Sequence, residues 1–236
     1  MDCAGKSTQR DRLMELLRSR GDTPVNFYGR PGYTPGLRLF KTTVGRLKGR
    51  RKPVRNGVSK DAGNFPRRAS NLGNPLARKL WLMAALLDLV WLHCVHIRLV
   101  RARGRTVVCN RHLLDCLVDF RVNFPADRVE QGLLWRLLRR FSARPDATFC
   151  FLISAELTME RSRNKSRFHW EPQDVLELRR REYAALAGEF GSHVIDGTRS
   201  VEEIACSIDR LLAERPRRAS SSAAGRGSPH PGSSGR

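Results

Sequence analysis

The sequence predicts an α/β domain built on a parallel sheet. Three observations carry that expectation. Short apolar runs of strand length recur at residues 24–28, 105–110, 147–153 and 193–197. Longer stretches with helical apolar spacing separate them, and strands that alternate with helices pair in parallel because each helix returns the chain to the same end of the sheet. A chain of 236 residues suits one such domain followed by a tail. The expected domain spans residues 1–213, with a flexible basic insertion at 45–75, and 214–236 follow as a disordered basic tail of Ser, Gly, Pro and Arg.

The first element is a loop. Gly5-Lys6-Ser7-Thr8 supplies all but the first glycine of G-x-x-x-x-G-K-[ST], and that glycine would fall one place before Met1. In such a loop backbone N–H groups cradle phosphates, the lysine reaches the β/γ-phosphates and the hydroxyl reaches Mg²⁺. The same tetrapeptide also occurs in ordinary loops and helix starts. A helix is expected next, with Leu13, Leu16 and Leu17 on one face and Gly21 to end it. Residues 24–28 alternate as a strand, and a glycine and proline cluster follows at 29–36.

The insertion holds Lys48-Gly49-Arg50-Arg51-Lys52 and Arg67-Arg68 with almost no apolar periodicity. It reads as a solvated linker, or as a contact for nucleic-acid backbones, with only Phe65 to stack on a base. From Lys79 to Arg101 the chain is apolar enough to raise a transmembrane reading. Asp88, His93, His96 and Arg98 interrupt it, and a central Asp costs about 2.5–3.5 kcal/mol on insertion scales. A buried helix of a cytoplasmic protein is expected instead, with no membrane contact. His93 and His96 have a spacing that could hold a metal, but no third ligand is evident, so core-edge or interface histidines are expected.

Residues 105–110 form an apolar strand that ends in the polar pair Asn110-Arg111, which is either a phosphate-binding site or a strand-end turn. After the strand at 147–153 comes a basic run that includes Arg161, Arg163 and Arg167. A helix is expected from about Pro172 to Ala187, with Val175, Leu176, Leu178, Tyr183 and Leu186 as its apolar stripe. Ser200-Val201-Glu202-Glu203 is a capping-box start for a last helix bearing Ile204, Ile208, Leu211 and Leu212.

The net charge of +21 suits nucleic acid or anionic surfaces, but arginine is spread through every segment, so a compositional bias accounts for it equally well. The six cysteines show no C-x-x-C pairing, which suits reduced thiols in a cytoplasmic protein. No secretory signal precedes the loop.

Asp2 through Gln9 resembles the loop of the thymidylate kinase family of P-loop nucleoside monophosphate kinases, which reads Gly-x-Asp/Glu-x-x-Gly-Lys-Ser/Thr-Thr-Gln. Gly29-Arg30-Pro31-Gly32-Tyr33-Thr34-Pro35 is similar to the family's second loop, Thr-Arg-Glu-Pro-Gly-Gly-Thr-Pro, with Arg30 in the glutamate slot. Asn110-Arg111-His112 stands where the family has Asp-Arg-Tyr/Phe, and residues 161–167 resemble its arginine-bearing lid. Ile195-Asp196-Gly197 and Ser200 match its closing Ile-Asp-Gly-x-x-Ser. The resemblance covers residues 2–40 and about 76–213.

The resemblance implies a P-loop NTPase three-layer fold, here lacking its first strand. It also implies Mg²⁺-dependent transfer of the γ-phosphoryl of ATP to a nucleoside monophosphate, dTMP before others. Asp2, Cys3, Ala4, Gly5, Lys6, Ser7 and Thr8 would hold ATP, with Ser7 on the metal. Lys6, Asp2, Arg161, Arg163 and Arg167 would serve catalysis; Cys3 stands where some members carry a catalytic arginine, so the lid must supply that charge. Arg30, Pro31, Asn110 and Arg111 would bind the acceptor. The helix at 76–101 would pack against a second copy in a homodimer. Asn110 lacks the charge of the family's aspartate, and the strand expected ahead of the loop, buried inside the sheet, is missing. Either the true start lies upstream or the chain is a degenerate copy. The rivals are therefore a divergent kinase for another acceptor and a non-catalytic nucleotide- or nucleic-acid-binding protein.

Overall fold

The computed structural model describes residues 4–30, 74–163 and 171–214. The insertion, apart from its last two residues, and the tail beyond Glu214 lie outside them. Within these bounds the architecture is α/β. Helix α1 (Lys6–Ser19) opens on Gly5, ends before the left-handed Gly21, and leads into strand β1 (Pro24–Tyr28). Its buried residues are Gln9 and Met14, whereas Leu13, Leu16 and Leu17 are only half-buried. The leucine face expected from spacing is thus a flank, because α1 packs between β1, β2 and the last helix.

Asn74 caps helix α2 (Pro75–Val90) by accepting a 2.9 Å bond from the Leu76 N–H, and Pro75 occupies the first turn, where a missing N–H costs nothing. The helix runs on through a π-helical segment (Trp91–His96) into α3 (Ile97–Ala102). Together they form one helix of 28 residues that passes length and composition tests for a membrane span. One face, from Leu82 through Ala85, Leu86, Leu89, Leu92 and His93 to Ile97 and Val100, is buried in the protein. The other carries Leu76, Leu80, Met83, Leu87 and Trp91, between 46% and 65% exposed and spaced by three or four residues along one stripe.

Strand β2 (Thr106–Asn110) pairs in parallel with β1, Pro24 opposite Thr106 and Tyr28 opposite Asn110. Helix α4 (Leu113–Asn123) follows, almost wholly buried; two short 3-10 turns then lead to α5 (Leu133–Phe141), which packs on α2. Strand β3 (Phe149–Leu152) precedes α6 (Ala155–Arg163), and α7 (Gln173–Ala187) packs on both α4 and β3. Pro172 is the N-cap of α7 and not its first residue, and Leu178 lies off the buried stripe that Leu176, Tyr183 and Leu186 define. Strand β4 (His193–Asp196) pairs in parallel with β3, Phe149 opposite His193. In α8 (Val201–Ala213) the Ser200 hydroxyl accepts from Glu203 N–H while the Glu203 carboxylate accepts from Ser200 N–H, the reciprocal box read from the sequence.

Among the described residues the strands thus form two separate two-stranded parallel sheets, β1-β2 and β3-β4, and no ladder joins β2 to β3. Both sheets share one apolar core, in which Leu89, Leu117, Phe120, Trp135 and Leu138 meet Phe151, Leu186, Ile195 and Ile204.

The π-helical segment sets an unusual pair of rings inside. His93 is fully buried, neither ring nitrogen has a hydrogen-bond partner among the described residues, and its ring meets that of His112 edge-on at 4.9 Å. His96 turns to Phe27 instead, at 5.1 Å, so the two histidines of the helix serve different contacts. Burial pushes His93 down to about 3 and His112 to about 4. Both folded values lie below the ordinary 6.5, so the unfolded chain takes up these protons first as pH falls. Their stabilisation is therefore complete above pH 6.5 and is lost as pH drops towards 4 for His112 and towards 3 for His93. Each histidine contributes a slope of about 1.4 kcal/mol per pH unit. Urea unfolding from pH 7 to 4 should show a fall that His93→Leu reduces; an unchanged slope in that variant would refute the assignment.

Candidate functional site

The carboxyl ends of all four strands and the Ala4-Gly5 loop gather at one place. Gly5 adopts φ 82°, a left-handed conformation that a side chain would strain, and this turns the chain into α1. Among the described residues no side chain caps the helix and no acidic residue lies in its first turn, and a helix start of that kind directs N–H groups and a positive dipole end towards an anion. The helix start is anchored: the Gln9 amide donates 2.7 Å to the Val201 carbonyl, and Arg12 pairs with Glu202 at 2.8 Å. Ser7 and Thr8 are exposed on this first turn. Ala4 is buried against the turn after β4, where a Cβ on Gly197 would lie 2.6 Å from Ile153 Cγ2 and 3.3 Å from the Ala4 carbonyl oxygen. Arg161 Nη1 donates 2.9 Å to the Gly197 carbonyl, which fixes the start of the expected lid beside the loop. Arg163 is exposed at the end of α6. Asp2, Cys3, Pro31 and Arg167 lie outside the described residues.

On the other side of the loop is a buried charge cluster. Asp119 on α4 receives Arg179 Nη1 at 2.6 Å and Arg30 Nε at 3.2 Å, with Arg111 Nη1 at 3.9 Å. Arg111 also lies 3.9 Å from Asp115, and Arg179 Nε donates 2.8 Å to Glu171. The Tyr183 hydroxyl donates 2.8 Å to Asp115. Burial alone would push the Asp115 carboxyl up, but Lys6, Arg111 and that hydroxyl outweigh it and hold Asp115 below the usual carboxylate range. The same burial, with Asp115 beside it, pushes Tyr183 well up and keeps it a donor. Among the described residues four cations, Lys6, Arg30, Arg111 and Arg179, therefore face three carboxylates, Asp115, Asp119 and Glu171.

The backbone here is tight and strained. Arg111 has φ 79°, uncommon for a residue with a Cβ, in the turn that directs its guanidinium back toward α4 and within 5.9 Å of the Tyr28 ring. Gly29 N–H donates 3.3 Å to the Asn110 carbonyl, and a Cβ on Gly29 would lie 2.6 Å from the Arg111 carbonyl oxygen. Cys116 Sγ donates 3.0 Å to the Gly29 carbonyl from beneath. The buried thiols here are not candidates for chemistry: burial raises Cys109 and Cys150 to about 11 and pushes Cys116 well above its ordinary value.

Of the residues expected from sequence, the structure brings Ala4, Gly5, Lys6, Arg30, Asn110, Arg111 and Arg161 to one end of the sheets. Asp115, Asp119, Arg179 and Tyr183 belong to the same site, and sequence reasoning missed them. Their signal was present as two carboxylates four residues apart within the apolar run 113–120, continuing the face of Arg111. Among the described residues no group of three or more His, Cys, Asp and Glu could hold a metal. In a loop of this kind the metal takes one hydroxyl together with substrate phosphates, and Ser7, exposed on the first turn of α1, has the chemistry for that. A search against known protein-family models finds no match to this sequence.

Proposed function

We propose that the protein is a thymidylate kinase-like P-loop nucleotide kinase that transfers the γ-phosphoryl of ATP to a nucleoside monophosphate, dTMP before others, in the cytoplasm. The observation that carries this reading is the juxtaposition of an uncapped helix start at Gly5-Lys6 with a cluster of buried arginines at the strands' carboxyl ends. Open α/β sheets bind ligands at that end. Two phosphate-bearing reactants need two cationic subsites, and these are adjacent here. Lys6 and the amides from Gly5 to Thr8 would hold the donor phosphates, and Ser7 would hold Mg²⁺, whose chemistry would be to offset charge on the phosphoryl oxygens. Arg30 and Arg111 would bind the acceptor phosphate, and the same role is proposed for Asn110 and Pro31. Arg161, Arg163 and Arg167 would meet transition-state charge from the lid, and Asp2 would position the acceptor side. The sheet's interruption between β2 and β3 suits a P-loop fold, in which the strand before the loop lies inside the sheet.

ADP formation from ATP and Mg²⁺, with dTMP and a panel of other monophosphates, tests the reading. Turnover with dTMP is expected, reduced about 10²–10³-fold in Lys6→Ala by loss of a phosphate-directed charge. Turnover with a different monophosphate alone would indicate a divergent kinase, and folded protein silent with every acceptor would sink the proposal. One observation favours the rival, a non-catalytic binding protein: Arg30 and Arg111 are already engaged by Asp119, and Asn110 brings no charge.

The same reading places a homodimer on α2. Its exposed stripe of Leu76, Leu80, Met83, Leu87 and Trp91 lies on the helix that packs with α5, which exposes Leu133 and Leu137, and apolar surfaces of this kind mark interaction sites. Leu80→Arg with Leu87→Arg should halve the mass measured by light scattering without lowering the melting temperature. A wild-type chain that is already monomeric would remove the dimer.

A further inference from the structure

We infer that the amino-terminal end of the sheets carries a second phosphate-binding site, an arginine-lined cleft that takes the backbone of a single-stranded nucleic acid. The cleft measures about 440 Å³ and is lined by Arg98, Arg101, Arg140, Ser142, Ala143 and Arg144. Its walls are the end of α3, which leads into β2, and the turn after α5, which leads into β3. It therefore lies at the opposite end of the strands from the Lys6 site.

Two of the four arginines build the cleft. Arg98 Nη2 donates 2.9 Å to the Phe141 carbonyl, and Arg101 Nη1 donates 3.1 Å to the Arg144 carbonyl, which ties the turn to the helix. Arg101 also meets Asp146 at 3.4 Å, and that carboxylate is 67% exposed. Among the described residues Arg98, Arg140 and Arg144 pair with no carboxylate. Guanidinium groups stay charged at any working pH, so this convergence costs free energy until an anion enters. Forked N–H donors suit phosphate oxygens.

A strand fits better than a free polyphosphate. Phe141 stands in the chain between the lining residues Arg140 and Ser142 and is 53% exposed, and its ring lies 5.8 Å from the Arg140 guanidinium, an aromatic surface of the kind on which bases stack. The chain's charge of +21 adds long-range attraction for a polyanion.

The test is fluorescence anisotropy of a labelled mixed-sequence single-stranded oligonucleotide with the full chain over a series of salt concentrations. Arg140→Glu with Arg144→Glu should weaken binding at least tenfold and flatten the log–log salt slope by about 1.4, two phosphate contacts at roughly 0.7 each. Phe141→Ala should weaken it less, with the salt slope unchanged. An equal-charge control, Arg18→Glu with Arg20→Glu on the exposed end of α1, should retain affinity, and thermal melts should show all variants folded. Equal loss in that control would reduce the effect to net charge and overturn the site. So would wild-type affinity in the Arg140/Arg144 variant, or loss in Lys6→Ala alone, which would place the strand at the loop. Displacement by inorganic triphosphate at matched phosphate concentration, with Phe141→Ala indistinguishable from wild type, would make the cleft a small-anion site and overturn the nucleic-acid assignment.

Discussion

Asp119→Ala is expected to destabilise the protein by about 3–5 kcal/mol, the cost of leaving buried cations without their partner. Asp119 is 5% exposed and lies within 4 Å of three guanidinium groups from three separate segments: Arg30 after β1, Arg111 after β2 and Arg179 on α7. No water-facing carboxylate can replace it, because the same burial that makes the pair strong also makes the lone charges expensive. Against a total stability of about 5–15 kcal/mol this loss unfolds a large part of the population at ordinary temperature. Urea denaturation of the variant measures it. Glu130→Ala provides the comparison, since the Arg121–Glu130 pair at 3.0 Å is about a third exposed and exchanging it for water should cost under about 1 kcal/mol. Equal losses in the two variants would mean that Asp119 does not hold the three arginine-bearing segments together.

The second large effect is expected at Asp115. Its carboxylate is held ionised beside Lys6 and Arg111 and is oriented by the Tyr183 hydroxyl. On the kinase reading it provides, from α4, the negative charge that Asn110 does not provide from the end of β2. Asp115→Asn should therefore lower kcat about 10²–10³-fold, within the range found for positioned acid and base groups, with a smaller change in KM. Asn110→Asp should raise turnover in the wild-type background and restore part of it in Asp115→Asn. A variant Asp115→Asn that keeps more than half of the wild-type kcat would assign this carboxylate to structure alone.

Much of the fold was legible because its signals are local. The β-rich runs at 24–28 and 105–110 have few competing conformations, and the Ser200/Glu203 box states a helix start in four residues. Spacing was less reliable where burial depends on what lies opposite. Leu13, Leu16 and Leu17 share a helical face, yet Met14 and Gln9 are the residues that α8 and the strands cover. The loop, Arg30 and Arg111 were found through motif shape. The other half of the site was not, because Asp115 and Asp119 meet Arg179 and Tyr183 about sixty residues further along the chain. Only the packing of α4 on α7 brings them together. The π-helical segment left no sequence mark either; within it His93 lies in the core beside His112.

The division of the strands into two pairs bears on how the protein behaves in concentrated solution. Thr106-Val107-Val108-Cys109-Asn110 and Phe149-Cys150-Phe151-Leu152 are short, uncharged and rich in β-branched or aromatic residues, and each has a partner on one side only among the described residues. An unpaired edge of that composition is a template for any extended segment, including one from a neighbouring molecule. Mutual repulsion between chains of charge +21 opposes such pairing, and its range is the Debye length, which shrinks from about 30 Å at 0.01 M salt to about 10 Å at 0.1 M. Colloidal stability thus depends on ionic strength: moderate salt weakens the repulsion that keeps chains of this charge, and strands of this composition, apart.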